Sequence, residues 1–431
     1  MKQFFIFIAL IAFCSVSYAQ TEDWLWAKQA GGTEDDTGNG IATDSNGSRY
    51  VTGWFQGTAT LGSTTLTSSG WQDIFIAKLD TNGNYLWVKQ AGGTNYDSAY
   101  SIATDSSGNC YVTGRFCGAA TFGSTTLTSS EGVGIFIAKL DTNGNWLWAK
   151  QAVGTIAYDS GRGIATDSSG NSYVTGEFYG AATFGNTTLT GSGEQDIFIA
   201  KLDTNGNFLW AKQAGSTEAD YGYGIATDSS GNCCVTGIFR GTAIFGNTPL
   251  TGSGSDDIFI AKLDTNGNWL WAKKAGGTDD DRGFSIATDS SGNCYVTGGF
   301  GGNATFGNTT LTSSGWYDIF IAKLGSSTGV LDEYGLPQIN FTLGQNHPNP
   351  FTASTSFSLE VSDAKSDYEV SVYDLRGRHI RTLHRGVLPK GECSFTWNGK
   401  DAAENQLSSG VYFYRVTNGT SSQVKKMIYV R

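Results

Sequence analysis

The chain has 431 residues, a formal net charge of −11, 59 glycines, 5 prolines and 13% aromatic residues. That much apolar surface excludes a disordered chain, and glycine without proline asks for many tight turns. Residues 20–340 carry 16 Lys/Arg against 31 Asp/Glu, an acidity that excludes a phosphate-backbone partner, so no nucleic acid is expected.

Residues 1–19 read as a secretory signal peptide. Lys2 supplies the charge, the run from Phe4 to Phe13 is apolar, and Ser17-Tyr18-Ala19 puts small residues at the cleavage positions. No later stretch has the length and apolarity of a membrane span, so no transmembrane segment is expected after cleavage. The mature chain is expected to be secreted or held at the outer-membrane surface.

From Trp24 onward one sentence recurs. The aspartates of its IATD motif, Asp44, Asp105, Asp167, Asp228 and Asp289, lie 61 or 62 residues apart. Each copy predicts four strands: A (GIATD), B (NCYVTG), C (DIFIAKLD) and D (WLWAKQ). The C run is almost wholly apolar, as a strand covered on both faces should be. Asp-Ser-Ser-Gly-Asn joins A to B and Asp-Thr-Asn-Gly-Asn joins C to D, both hairpin turns by their chemistry. The second spelling is close to a calcium loop but lacks the distal bidentate glutamate.

Four antiparallel strands per repeat make a blade, so residues 20–324 are expected to form a five-bladed β-propeller of about 61 residues per blade. The array opens on a lone D strand, Trp24–Gln29, and its fifth copy stops after strand C at Leu324. The lone strand is expected to complete the last blade, closing the ring and removing its open edges.

The segments IATDSSGNCYVTG, DIFIAKLDTNGN and LWAKQAGG resemble the bacterial β-propeller repeat family called SBBP, over Trp24 to Leu324. The resemblance implies an extracellular propeller and no defined activity.

Residues 325–340 read as a linker. Residues 341–431 alternate strands with turns, as a small Ig-like β-sandwich does, and carry 11 Lys/Arg against 8 Asp/Glu. Asn349-Pro350-Phe351, Tyr373-Asp374 with Gly377, Gly410-Val411-Tyr412-Phe413-Tyr414 and the basic end from Lys425 resemble the C-terminal sorting domain of type IX secretion cargo. That resemblance implies the type IX machinery as a partner. Without a sorting role, the unit reads as an Ig-like accessory domain.

All three histidines, His347, His379 and His384, lie in this last unit, so His-based nucleophilic catalysis is excluded from the repeats. Carboxylate chemistry would need an acid and a base that differ between blades. The best-placed acid is instead the same in every copy: Asp36, Asp97, Asp159, Asp220 and Asp281, eight residues ahead of each IATD aspartate. It falls in the D-to-A connection. Asp73, Asp196, Asp257 and Asp318, just before strand C, are expected towards the same face, with Gly134 breaking the set. The first acids either accept backbone N–H groups or ring one face to bind cations or sugar hydroxyls.

Three residues further on the copies diverge to Asn39, Tyr100, Arg162, Tyr223 and Phe284. These are expected near the channel mouth, able to stack on sugar rings or grip a peptide. Trp26, Trp87, Trp148, Trp210 and Trp271, matched along strand D, are expected to pack blade on blade. The cysteines suggest no essential disulfide framework: Cys110, Cys233 and Cys294 share a position held elsewhere by Arg49 and Ser172. The sequence therefore predicts a monomeric, non-catalytic binding protein with a glycan or surface-protein ligand, possible adhesion, and no cofactor, calcium being the one cation considered. A carboxylate-based carbohydrate-active enzyme and a structural surface component are the alternatives.

Overall fold

A computed structural model describes residues 24–154, 159–325, 341–362, 367–418 and 422–431. The expected signal peptide, and all of the expected linker but Gly325, lie outside these residues. The described secondary structure is all β, with no helix. It divides into two units, Met1–Thr190 with Ala200–Ala211, and Gly191–Ile199 with Lys212–Arg431.

In the first unit, repeat 1 forms strands A (Asp36–Thr43), B (Arg49–Phe55), C (Asp73–Leu79) and D (Tyr85–Gly93), antiparallel in that order. Every residue of the C strand is buried, as its unbroken apolar run requires. Repeat 2 repeats the pattern with A (Ser98–Thr104), B (Cys110–Phe122), C (Thr125–Leu140) and D (Trp146–Gly154). The B-to-C connection is the projecting hairpin expected of its length; in repeat 1 it pairs Thr58–Leu61 with Thr64–Thr67. Repeat 3 begins the same way, with Ser160–Thr166 paired to Ser172–Phe184.

The IATD aspartate builds its turn as its side chain allows. Asp44 Oδ1 accepts the amides of Asn46 (3.0 Å) and Ser48 (2.9 Å), while Gly47 takes φ 76°. The Asp-Thr-Asn-Gly-Asn segments are plain hairpin turns of the same kind, Asp80 Oδ1 accepting from Asn82 and Asn84 at 2.8 Å.

Successive repeats stack through their sheet faces. Tyr50, Ile74 and Ile76 of repeat 1 pack with Val112, Phe136 and Leu140 of repeat 2 in one fully buried cluster. Each buried isoleucine is worth roughly 1.5–3 kcal/mol. The matched tryptophans lie in these seams: Trp87 Nε1 donates to Thr142 O and Trp148 Nε1 to Thr204 O, both at 3.0 Å, each reaching the next repeat's C-to-D turn. A strands are tied side by side by the threonine of IATD, Thr104 Oγ1 donating to Thr43 O at 3.1 Å and Thr166 Oγ1 to Thr104 O at 2.8 Å.

The second unit contains repeat 4, with A (Tyr221–Thr227), B (Cys233–Phe239), C (Asp257–Leu263) and D (Trp269–Ala275), and repeat 5, with A (Asp281–Thr288), B (Cys294–Phe300) and C (Asp318–Leu324). Cys234 and Cys294 are paired as a disulfide between these two repeats. Comparing one position across copies did not reveal it, because the bond joins two different positions of consecutive repeats.

Residues 24–30 carry no strand, and among the described residues strand C of repeat 5 is paired with strand B. Trp26 and Lys28 lie against Gly83 in the C-to-D turn of repeat 1, as Trp87 and Lys89 lie against Gly144, so the segment meets the repeat that follows it as a D strand does.

The described residues of 341–431 form two sheets, one of Phe341–Leu343, Thr355–Val361 and Gly391–Trp397, the other of His379–Val387, Asp367–Asp374, Gly410–Thr417 and Ser422–Tyr429 in that order. Their facing side chains make one core containing Phe357, Val372, Trp397, Tyr414 and Met427. The Asn349-Pro350-Phe351 motif closes one end. Asn349 Oδ1 accepts the Ile428 amide at 2.8 Å, and Phe351 packs between Trp397 and Tyr429 at 5.6 and 5.0 Å.

Candidate functional site

The repeated acid of the D-to-A connection is a brace. Asp97 Oδ2 accepts the Gly93 amide (2.7 Å) and Oδ1 the Cys117 amide (3.0 Å), which ties the end of strand D to the end of strand B in the next repeat. Asp220 does the same with Ser216 (2.5 Å) and Arg240 (2.8 Å), and Asp281 with Gly277 (2.6 Å) and Gly301 (3.2 Å). Asp159 accepts from Tyr179 at 2.9 Å. Those four are wholly buried; Asp36, braced to Gly32 (2.7 Å) and Gln56 (3.3 Å), is half-buried. Burial is the main cause that pushes Asp97 and Asp281 up to about 6, and Asp159 and Asp220 up to about 7.

The second acid set sits beside the first. A methyl group on Gly92 would lie 2.8 Å from Asp73 Oδ1 and 3.1 Å from Asp97 Oδ2; on Gly276 it would lie 2.7 Å from Asp257 Oδ1 and 2.9 Å from Asp281 Oδ2. Two carboxylates thus flank one glycine Cα, in a pocket where only glycine fits. Oδ1 of Asp73, Asp196 and Asp257 is buried without a hydrogen-bond partner. Among the described residues no three His, Cys, Asp or Glu side chains converge as a metal-ligand group, and calcium takes about six to eight oxygens.

The divergent positions are the ones most changed by being seen in three dimensions. In every repeat the A–B ladder slips by one residue, between Gly38/Gly40, Ala99/Ser101, Gly161/Gly163, Gly222/Gly224 and Gly283/Ser285. The residues skipped are Asn39, Tyr100, Arg162, Tyr223 and Phe284. Each is a β-bulge residue, and a bulge re-aims a side chain out of the ladder. In the first unit Asn39 Nδ2 donates to Ala99 O (2.8 Å), and the Tyr100 ring is flanked by the guanidiniums of Arg162 (5.0 Å) and Arg115 (5.8 Å). Arg162 also makes a bidentate pair with Glu177, Nη2 to Oε1 at 2.7 Å, and Glu177 is only 2% exposed. In the second unit Tyr223 stacks on Tyr221 (6.0 Å, 4° between planes) and meets Phe284 at 5.8 Å. Asn39 and Phe284 are exposed and the other three half-buried.

One aromatic pair escaped the sequence reading. Trp71, in the B-to-C connection of repeat 1, stacks on Tyr96 of the next D-to-A connection, with centroids 5.7 Å apart and planes 14° apart. Both rings are about half exposed, at 58% and 44%. Their contact places the two kinds of connection together, as blade geometry predicts. The signal in the sequence was a tryptophan, repeated as Trp316 in repeat 5, at a position where the other copies have Gly132, Glu194 and Ser255.

Comparison with known proteins bears on fold more than on activity. Residues 25–54, 86–115, 147–177 and 209–237 match the family described as β-propeller repeat, and residues 346–422 match the FlgD Ig-like domain. An uncharacterized WD repeat-containing protein, L264 of Acanthamoeba polyphaga mimivirus, is 27% identical over 326 residues, 59% of this chain and 23% of that one. The regulatory protein FlaEY of Caulobacter vibrioides is 28% identical over 206 residues, 46% of this chain and 21% of that one. The chain therefore spans less than a quarter of the length of either relative. Among solved structures, PorZ of Porphyromonas gingivalis, a surface component of the type IX secretion system, is 12% identical with a TM-score of 0.25, covering 91% of this chain and 59% of that one. No helix among the described residues is long and apolar enough to cross a membrane. The chain carries β-propeller repeats followed by an FlgD-type Ig-like domain.

Proposed function

We propose that this protein is an exported, non-catalytic binding protein of the cell surface, which takes a glycan on the A-strand edge of each unit and the neighbouring loops. One observation carries the reading: near-identical repeats differ at the residue that a β-bulge turns out of the ladder, presenting Asn, Tyr, Arg, Tyr and Phe in turn. A sheet-building role would be met by one residue type five times over. Half-exposed aromatics, with Trp71 and Tyr96 stacked nearby, suit the apolar faces of sugar rings. The repeated acids, buried and occupied by backbone amides, support binding rather than hydrolysis. Residues 341–431 serve export through the type IX machinery in this reading, on the strength of their motif resemblance.

The test is a broad glycan array probed with the secreted chain and with Tyr100→Ala and Tyr223→Ala. Selective binding that each substitution weakens at least tenfold, with an unchanged melting temperature, is the expected result. Binding that both variants retain in full would overturn the site. A blank array, with capture instead of a purified surface protein, would replace the glycan by a protein ligand.

A further inference from the structure

Within the first unit, the surroundings of Tyr100 hold a cation that the protein does not neutralise. In repeat 2, Ser98 of strand A pairs with Arg115 of strand B; in repeat 3, Ser160 pairs with Glu177. Arg115 and Glu177 therefore hold one position of strand B in consecutive repeats. The same position is Trp54 in repeat 1, Ile238 in repeat 4 and Gly299 in repeat 5. It is a second column that diverges, beside the bulge residues.

The repeats contain five arginines. Arg49 donates to Gly47 O, Arg162 is paired with Glu177, and Arg240 and Arg282 are paired with Asp256 at 2.7 and 2.9 Å. Arg115 is half-buried and, among the described residues, its guanidinium donates to no acceptor and meets no carboxylate. It lies over the Tyr100 ring, 5.8 Å from the centroid. A ring attracts a guanidinium through its quadrupole and takes up none of its five N–H donors. Tyr100 thus orders the Arg115 fork and leaves it able to bond.

The charge here is positive. Two guanidiniums approach the Tyr100 ring, and Glu177 neutralises one of them. One positive charge is left over, in a region, residues 20–340, where 31 acids face 16 bases. Burial pushes Glu177 up, and Arg162 chiefly, with Arg115 as well, pulls it back, so Arg115 acts on the pair at close range. Arg162 already grips a planar carboxylate with two N–H groups, Nε to Oε2 at 3.1 Å and Nη2 to Oε1 at 2.7 Å.

We propose that Arg115 anchors a carboxylate of the glycan, so that the sugar bound at Tyr100 is an acidic one, a uronate or a sialate. The inference rests on the glycan reading above and names the class of sugar. A single carboxylate brings the one charge that the site lacks and matches the plane of the guanidinium fork. A doubly charged phosphate or a densely sulfated chain would bring excess negative charge to an acidic surface that repels it. A neutral sugar would cover the guanidinium without pairing its charge, and desolvating an unpaired charge is costly.

Calorimetry of the full chain tests this with probes that differ in the carboxyl charge: trigalacturonate against its methyl ester, and sialyllactose against its methyl ester. One acid is expected to bind at least tenfold more tightly than its ester, and which acid does so names the sugar. That comparison is made on the wild-type chain and depends on no variant folding. Arg115→Ala should bring the acid down to the affinity of the ester. Arg115→Lys keeps the charge without the fork and should fall between. Both should melt close to wild type, because Arg115 bonds to no protein acceptor. Acid and ester bound alike, or an acid preference that Arg115→Ala retains, would overturn the proposal and leave the glycan reading standing. So would failure of both acids to bind a chain that takes neutral glycans on an array. A glutamate peptide bound as tightly as either sugar acid would show that the carboxylate is read without the sugar, and would overturn it too. A chain that binds no glycan at all removes the glycan reading and the proposal with it.

Discussion

Replacing Asp220 by alanine separates a structural brace from a ligand site. The carboxylate accepts Ser216 N–H on one oxygen and Arg240 N–H on the other, at 2.5 and 2.8 Å, in a wholly buried setting. Alanine leaves both amides without an acceptor. A buried donor stripped of its partner costs about 1–3 kcal/mol, so the pair costs about 2–6 kcal/mol. Against this, alanine removes a carboxyl whose burial pushes it up to about 7, which lessens the loss at alkaline pH. Asp220→Asn keeps one acceptor oxygen and should fall between wild type and alanine. The contrasting case is Asp36→Ala. That carboxylate is half-buried, with one bond of 3.3 Å, and water can replace it, so the cost should stay under about 1 kcal/mol. Urea unfolding followed by tryptophan fluorescence at pH 6 measures both, and the Asp220→Ala midpoint should drop by roughly 1–2 M. Slow hydrogen exchange at Ser216 and Arg240 should be lost in the same variant. A midpoint unchanged within error, with loss of ligand binding instead, would refute the brace and return these aspartates to a surface role.

The same acids set the pH dependence. Asp97, Asp159, Asp196, Asp220 and Asp281 are all raised by burial, to about 6, 7, 6, 7 and 6. Each therefore holds its proton more tightly folded than unfolded. The resulting stabilisation is full below about pH 4 and is lost as pH rises through 6 to 7. The urea midpoint should fall between pH 5 and pH 8, and a rise over that range would contradict the burial argument. Arg162→Ala should destabilise the first unit by about 3–5 kcal/mol, because it leaves Glu177 buried without its bidentate partner. Adding Glu177→Gln should restore most of the loss in the same unfolding assay, and a double variant no better than the single one would show that the charge is not the cause.

Much of the fold was legible in the sequence because it is written in short-range terms. The period of the IATD aspartates counts the repeats. The unbroken DIFIAKL run predicts a strand covered on both faces, and in repeat 1 it is. Asp-x-x-Gly-Asn needs only its own side chain and one positive-φ glycine to turn. The alternation after residue 341 predicts the sandwich. The candidate site was legible only as a list of positions. The divergent residues were visible, but a bulge exists only relative to a partner strand, so Asn39 and Tyr100 could not be known as skipped residues until the A–B register was seen.

What tertiary structure alone decided involves groups far apart in the chain. Asp220 meets an amide 20 residues on, Trp71 a ring 25 residues on, and Cys234 a thiol 60 residues on. None of those pairings has a local propensity to announce it. A strand's backbone groups bond only where another edge arrives, and sequence pattern cannot say which edge that is. The sequence by itself determined the repeating unit and its turns, because each lies within reach of its own neighbours. Packing between repeats determined how the faces inside each unit are buried, because that depends on what the following repeat brings.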